Sequence, residues 1–215
     1  MKIDQIELLN ADCMDILKQT PDNYYSLAIV DPPYGIKASK MTMGSGKHKF
    51  KKDKSWDNEI PNLEYWNELF RISENQIIWG GNYFTEFLPP SPHWLIWDKK
   101  NPNLSFAEAE LAWVRNGNNC RIFQKYSALI ENGGKIHPTQ KPVDLYDWIL
   151  TKYAKNGFKI IDTHLGSGSI AIAIDKANTL DKKNLSFLGI ELDKDYYDAA
   201  CKRFLNYKKQ FTLEL

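Results

Sequence analysis

Apolar positions in this chain come in short blocks that end in acids or glycines, and segments with helical spacing lie between most of them. Leu27 to Val30 (LAIV) is wholly apolar, the pattern of a strand buried on both faces. Gln76 to Trp79, Trp94 to Trp97, Ala109 to Val114, Lys159 to Asp162 and Leu185 to Ile190 read as further strands, and Lys2 to Asn10 has strand character. Leu63 to Glu74 is amphipathic, with Leu63, Trp66, Leu69, Phe70 and Ile72 on one side. A short helix is expected over Ala11 to Leu17, and another from Val143 to Ala154. An apolar one runs through Ala171, Ile172, Ile174 and Ala177, and a last one from Lys194 to about Lys209. Strands and helices alternate, which predicts an α/β fold with a doubly wound, mostly parallel sheet. No long helix separates the strands between Trp94 and Val114, so an antiparallel hairpin is expected at one edge.

Composition narrows this picture without redirecting it. At 215 residues the chain fits a single domain, 1–215. Its 43% hydrophobic and 26% charged residues are ordinary for a soluble globular protein. The formal net charge of +1 does not announce a polyanionic partner. Three cysteines, Cys13, Cys120 and Cys201, are odd in number and widely spaced; no metal site is expected, and a reducing cytoplasmic setting suits them. No run reaches the ~20 apolar residues of a membrane span, and the first residues lack the apolar core of a signal peptide.

Candidate chemistry sits where the strands stop. After Val30 come Asp31-Pro32-Pro33-Tyr34-Gly35. Two prolines cannot donate to a sheet and hold φ near −65°, so the strand must end in a rigid turn. In an open α/β sheet that end is where ligands bind. A carboxylate, freed carbonyls and an aromatic ring there can hold an exocyclic amine and stack its flat ring; the plain alternative is a turn with Asp31 as its cap. Residues 36–61 then show no apolar periodicity and carry Lys47, Lys49, Lys51, Lys52 and Lys54 around Phe50, with Trp56 nearby. A charge run is by default a solvated face, but here it follows the candidate turn and mixes cations with aromatics, which suits phosphate contact and base stacking. Gly44-Ser45-Gly46-Lys47 is not a phosphate loop, because Met41 replaces the first glycine and His48 the final Ser or Thr. Residues 116–135 are polar and turn-rich, a recognition insert or simply a connection.

A second constellation follows. Gly166-Ser167-Gly168-Ser169-Ile170-Ala171 fits G-x-G-x-x-A between a strand and a helix, with Glu191 about 20 residues further on. Any cofactor built on adenosine could use it, a nicotinamide dinucleotide included. Asp162 ahead of the glycines would repel a pyrophosphate and suit an ammonium, which favours S-adenosylmethionine.

Asp-Pro-Pro-Tyr (31–34), His-Pro-Thr-Gln-Lys-Pro (137–142) and Asp-x-x-x-Gly-Ser-Gly-Ser (162–169), in that order, resemble the β-class amino-methylating DNA methyltransferases, from about Ile6 to Arg203. The form Asp162-Thr163-His164-Leu165, in place of the usual Asp-Pro-Phe, looks like a phage or prophage variant, and ring contacts of that phenylalanine are not carried onto Leu165. The resemblance implies a circularly permuted Rossmann-like fold, catalytic half first, and S-adenosylmethionine as cofactor. It implies that Asp31 and the Pro32 carbonyl accept hydrogen bonds from the target amine, with Pro33 completing the turn and Tyr34 stacking on a base flipped from double-stranded DNA. Asp162, Gly166, Ser167 and Gly168 would cradle the methionine portion, with Thr139 and Lys141 near its carboxylate. Glu191 would hold the ribose, and Asp12 with Cys13 would meet the adenine; without the resemblance, Asp12 reads as a helix cap. Asp at position 31 goes mainly with adenine-N6 methylation in this family, and cytosine-N4 methylation or a catalytically silent nucleic-acid-binding subunit are the alternatives. A service in restriction–modification or phage protection is implied only at that level. A homodimer is compatible with the sequence, and no apolar stripe decides for or against it.

Overall fold

The computed structural model describes residues 1–36, 59–101, 107–126, 136–137 and 139–213. The basic run from Lys47 to Lys54 therefore lies outside the described residues, as does most of 36–61 and 127–135 of the second candidate insert. Among the described residues nine strands form one sheet: β1 (Lys2–Ile3), β2 (Ile6–Asn10), β3 (Leu27–Val30), β4 (Gln76–Trp79), β5 (Trp94–Asp98), β6 (Ala109–Val114), β7 (Arg121–Gln124), β8 (Lys159–Asp162) and β9 (Ser186–Glu191). Their order is β1-β2-β9-β8-β3-β4-β6-β5-β7. From β2 to β4 every neighbouring pair is parallel, while β6 runs antiparallel to both β4 and β5.

Helices cover both faces, as a doubly wound sheet requires. Apolar residues of α3 (Val143–Tyr153), α4 (Ser169–Leu180) and α5 (Lys194–Leu213) pack with Leu27, Ile29, Ile77, Trp79 and Ile160. Those of α1 (Cys13–Gln19) and α2 (Leu63–Ile72) pack with Ala28, Val30, Ile78 and Ile161 on the other side. Adjacent residues of one strand thus serve opposite layers, which is why β3 and β4 are buried at all four positions.

The expected strands and helices are present, with differences that have physical causes. Lys2 to Asn10 is a hairpin rather than one strand, folded at Asp4 with φ of 52°. The hairpin expected at an edge is β5–β6, but β6 lies inside between β4 and β5. The rim is β7, a strand that arises within the polar stretch 116–135 and pairs parallel to β5. Its burial is slight, so alternation gave no signal there.

Two consecutive neighbours at the centre, β8 and β3, lead out in opposite directions: β3 through α2 to β4, β8 through α4 to β9. The sheet order reverses between them, and their carboxyl ends, Asp162 and Asp31, open on one crevice. At the end of β4, Gly80 takes φ of +70°, and a Cβ there would stand 2.2 Å from the Tyr34 ring. Only glycine lets the turn after β3 lie down against that strand end.

Candidate active site

At the carboxyl ends of β2, β3, β8 and β9 lies a cavity of about 420 Å³, within the usual range for a small-molecule site. It gathers most of the residues singled out from the sequence. Asp12 and Cys13 follow β2, Asp31 and Pro33 follow β3, Thr139 and Lys141 precede α3, Gly166 and Ser167 form the loop after β8, and Glu191 ends β9; all line it. Pro32, Tyr34, Asp162 and Gly168 do not.

Glu191 shapes the glycine loop. Its Oε2 accepts from the Gly166 backbone N–H at 2.8 Å and its Oε1 from that of Asp193 at 2.9 Å. Gly168 stands behind the wall as the residue entering α4, at φ of +70°, where a Cβ would meet Ala200 at 3.2 Å. Ser167 is held from the rear by Arg203, which donates to its carbonyl at 2.8 Å. Asp12 is both cap and wall: its Oδ1 accepts from Met14 N–H at 2.9 Å, opening α1. The Cys13 thiol is pushed up to about 12 by burial and by the Asp12 charge, so it stays protonated and is no nucleophile at neutral pH.

Asp31 is the carboxylate of the crevice. Its Oδ1 accepts from the Tyr34 hydroxyl at 2.5 Å, and its Oδ2 from Lys141 Nζ. Burial pushes its carboxyl up, Lys141 draws it down and Glu110 pushes it up again, with a net rise. Tyr34 is stacked on Tyr83, centroids 4.9 Å apart and planes 13° from parallel. Lys141 differs from the role the resemblance implied. Its ammonium is buried and committed to Asp31 and to Glu110 Oε2, 3.1 Å away, and sits 5.2 Å over the Trp79 ring.

Asp162 is also placed differently from the expectation of a direct ligand to an ammonium. It is 1% exposed, and its Oδ1 accepts from His164 N–H at 3.0 Å. Burial pushes its carboxyl up to about 8. The native state therefore keeps a proton that the unfolded chain releases above its ordinary ~3.9, so this group makes stability fall as pH rises from about 4 to about 8. Asp162→Asn keeps the acceptor for His164 and has no charge to bury. In ligand-free protein it is expected to raise Tm by about 5 °C or more at pH 8, and to change it little at pH 4. Thermal scans of both proteins across that range check the slope; parallel curves would overturn the assignment.

Sequence reasoning missed three wall or support residues. Glu110 lies in β6 and pairs through Oε1 with Lys99 at 2.7 Å; an acid inside the strand AELAWV was the available signal. His164 lines the cavity, and its Nδ1 lies 2.9 Å from Thr163 Oγ1, itself 2.7 Å from the Tyr65 hydroxyl. Burial pulls its imidazole down to about 4, so it is neutral. Tyr146, on the buried face of α3, closes the floor. Among the described residues no cluster could hold a metal ion, and no helix is long and apolar enough to cross a membrane.

The family model described as DNA methylase (N6_N4_Mtase) matches residues 113–202. The type II methyltransferase M.HinfI of Haemophilus influenzae is 23% identical over 94% of this chain and 68% of its own length. The crystal structure of the M1.HpyAVI–SAM complex is similar over 94% of this chain and 99% of its own, with a TM-score of 0.59 and 20% identity. The PvuII DNA methyltransferase, described as cytosine-N4-specific, is similar over 97% and 93%, with a TM-score of 0.62 and 10% identity. The fold is thus the Rossmann-like methyltransferase fold, present along nearly the whole chain.

Proposed function

We propose that this chain is an amino-methylating DNA methyltransferase, using S-adenosylmethionine to methylate the N6 amine of adenine in double-stranded DNA. One observation carries the reading: Asp31, at the switch point of the sheet, shares a single cavity with the glycine loop and with Glu191.

The charge of that cavity supports the cofactor. Among the described residues its wall has four carboxylates, Asp12, Asp31, Glu191 and Asp193, against one ammonium, Lys141, which is already engaged by Asp31 and Glu110. Such a wall favours a ligand bearing a sulfonium and an ammonium, and disfavours the pyrophosphate of a dinucleotide. These residues, and not the buried Asp162, present the negative charge to a ligand. Glu191 and Asp12 would hold the adenosine portion, and Gly166, Ser167 and Thr139 the methionine portion. When bound, the cofactor supplies a methyl group on a carbon that is already electrophilic.

The chain's own task is then alignment and electrostatics. Asp31, held by the Tyr34 hydroxyl and Lys141, accepts a hydrogen bond from the target amine and turns its lone pair toward the cofactor. The Pro32 carbonyl is the second acceptor. Tyr34, which stands outside the cavity and stacks on Tyr83, is assigned to the flipped base by the resemblance alone. Lys47, Lys49, Lys51, Lys52 and Lys54 are assigned to phosphate contact by sequence alone. The amine nitrogen would take the methyl carbon directly as its carbon–sulfur bond breaks, and would lose its extra proton afterwards to solvent; Cys13, protonated, offers no thiolate for a covalent route.

Cytosine-N4 methylation is the second reading, favoured by the likeness to the PvuII enzyme, and it uses the same site. Transfer of label from S-adenosylmethionine to unmethylated duplex DNA, followed by digestion to nucleosides and mass identification, decides between them. N6-methyladenine is expected. N4-methylcytosine would overturn the base assignment, and no product with cofactor bound would overturn the reaction.

A further inference from the structure

We infer that Glu110 is a positioning residue for this reaction: through Lys141 it fixes where the Asp31 carboxylate stands and how much of the lysine's charge Asp31 receives. The inference rests on the proposed transfer function. Four charges of alternating sign run inward from the sheet to the crevice. Lys99, just past the end of β5, meets Glu110 Oε1 at 2.7 Å, Glu110 Oε2 lies 3.1 Å from Lys141 Nζ, and Lys141 donates to Asp31 Oδ2. Two indoles flank the line, Trp97 under Lys99 at 5.3 Å and Trp79 under Lys141 at 5.2 Å.

A purely structural ion pair is a poor use of such a place, because burying charges costs more than packing apolar groups of equal volume. This line ends instead on Asp31, the carboxylate that follows β3 and lines the cavity. Glu110 Oε2 takes no aligned hydrogen bond, although it stands in ion-pair range of Lys141. Lys141 is 2% exposed and holds its hydrogen bond to Asp31 while Glu110 draws on the same charge from behind. A lysine given wholly to Asp31 would clamp that carboxylate and leave it a weaker acceptor for an incoming amine. A lysine shared with Glu110 keeps Asp31 in place and leaves its oxygens available.

Among the described residues the groups that face Asp31 are Tyr34 from its own turn, Lys141, Glu110 from β6, Tyr146 from α3 and Asp162 from β8. Glu110 and Lys141 act on it with opposite sign, so their removal must move its titration in opposite directions. Glu110→Gln is expected to lower the Asp31 midpoint, and Lys141→Met to raise it. Carbon-13 carboxyl NMR of labelled protein reads this without any turnover. In methyl transfer, the acid limb of the kcat profile follows the same two directions. kcat of Glu110→Gln falls by about 10- to 100-fold, the usual cost of losing a supporting partner. Cofactor Kd, by calorimetry, stays within about threefold of the parent protein, and Glu110→Asp recovers part of kcat.

An unmoved Asp31 midpoint in folded Glu110→Gln protein would overturn the inference. So would a fall in kcat accompanied by equal losses in Tm and cofactor affinity. If the parent protein methylates no DNA while the two midpoints still move apart, the function reading fails and the charge relation stands.

Discussion

Asp31→Ala is expected to abolish methyl transfer, by at least about 1,000-fold in kcat, while cofactor affinity changes only a few fold. The size follows from what the residue does. Its carboxylate is the acceptor aimed at the reacting amine, and a preorganised group at the point where charge develops is worth that order in mutant enzymes. Asp31→Asn is the sharper variant, since it keeps the shape and an acceptor oxygen and loses the charge that Lys141 and the incoming amine both use. It should be nearly as inactive. The truncation also leaves Lys141 buried with Glu110 alone as counter-charge, so a lower Tm is expected beside the lost activity. Single-turnover transfer and calorimetric titration with S-adenosylhomocysteine separate the effects. Turnover above about a tenth of the parent rate in the Asn variant would remove Asp31 from the chemistry.

The second large effect is expected at Glu191. Both of its oxygens accept backbone N–H groups, one from the glycine loop and one from the residue that opens toward α5. Removing the carboxylate strips two acceptors from backbone donors and, in the proposed complex, the partner of the ribose hydroxyls. Hydrogen bonds to a charged group are worth about 1.5 to 3 kcal/mol each, so Glu191→Ala should weaken cofactor binding by at least about 100-fold. Glu191→Gln is no rescue, because its amide NH₂ must face one of two N–H groups that both need an acceptor. At saturating cofactor the kcat of either variant should stay within about tenfold of the parent, since the residue does not touch the target base. A Kd that scarcely moves would mean that Glu191 serves the loop and not the ligand.

Much of this site was legible because its residues sit where periodicity breaks. LAIV ending in Asp31, KIID ending at Asp162 and SFLGIE ending in Glu191 each name a strand and its reactive end. What such patterns do not carry is the depth of a side chain behind a wall. Asp162 and Glu191 look alike as strand-terminal acids, yet one is sealed under the His164 backbone and the other stands on the cavity. Lys141 was placed near a ligand carboxylate only by the resemblance, and its ion pairs with Asp31 and Glu110 were not foreseen. Its burial depends on Glu110, an acid on a strand far off in sequence, and no local window joins the two. β7 was missed for the opposite reason, a four-residue rim strand whose only apolar pair, Ile122 and Phe123, sits inside a polar stretch and is little buried.

The strand order also sets the sequence of events during synthesis. The central strand β8 lies between β3 and β9, yet it leaves the ribosome after every strand of the catalytic half. Until residues 159–162 emerge, β3 lacks its partner on that side, and β2, made early, waits for β9, the last of the described strands. Unpaired strand edges of this kind are a known aggregation hazard in partly made chains, and the cofactor wall cannot close before the glycine loop and Glu191 are free.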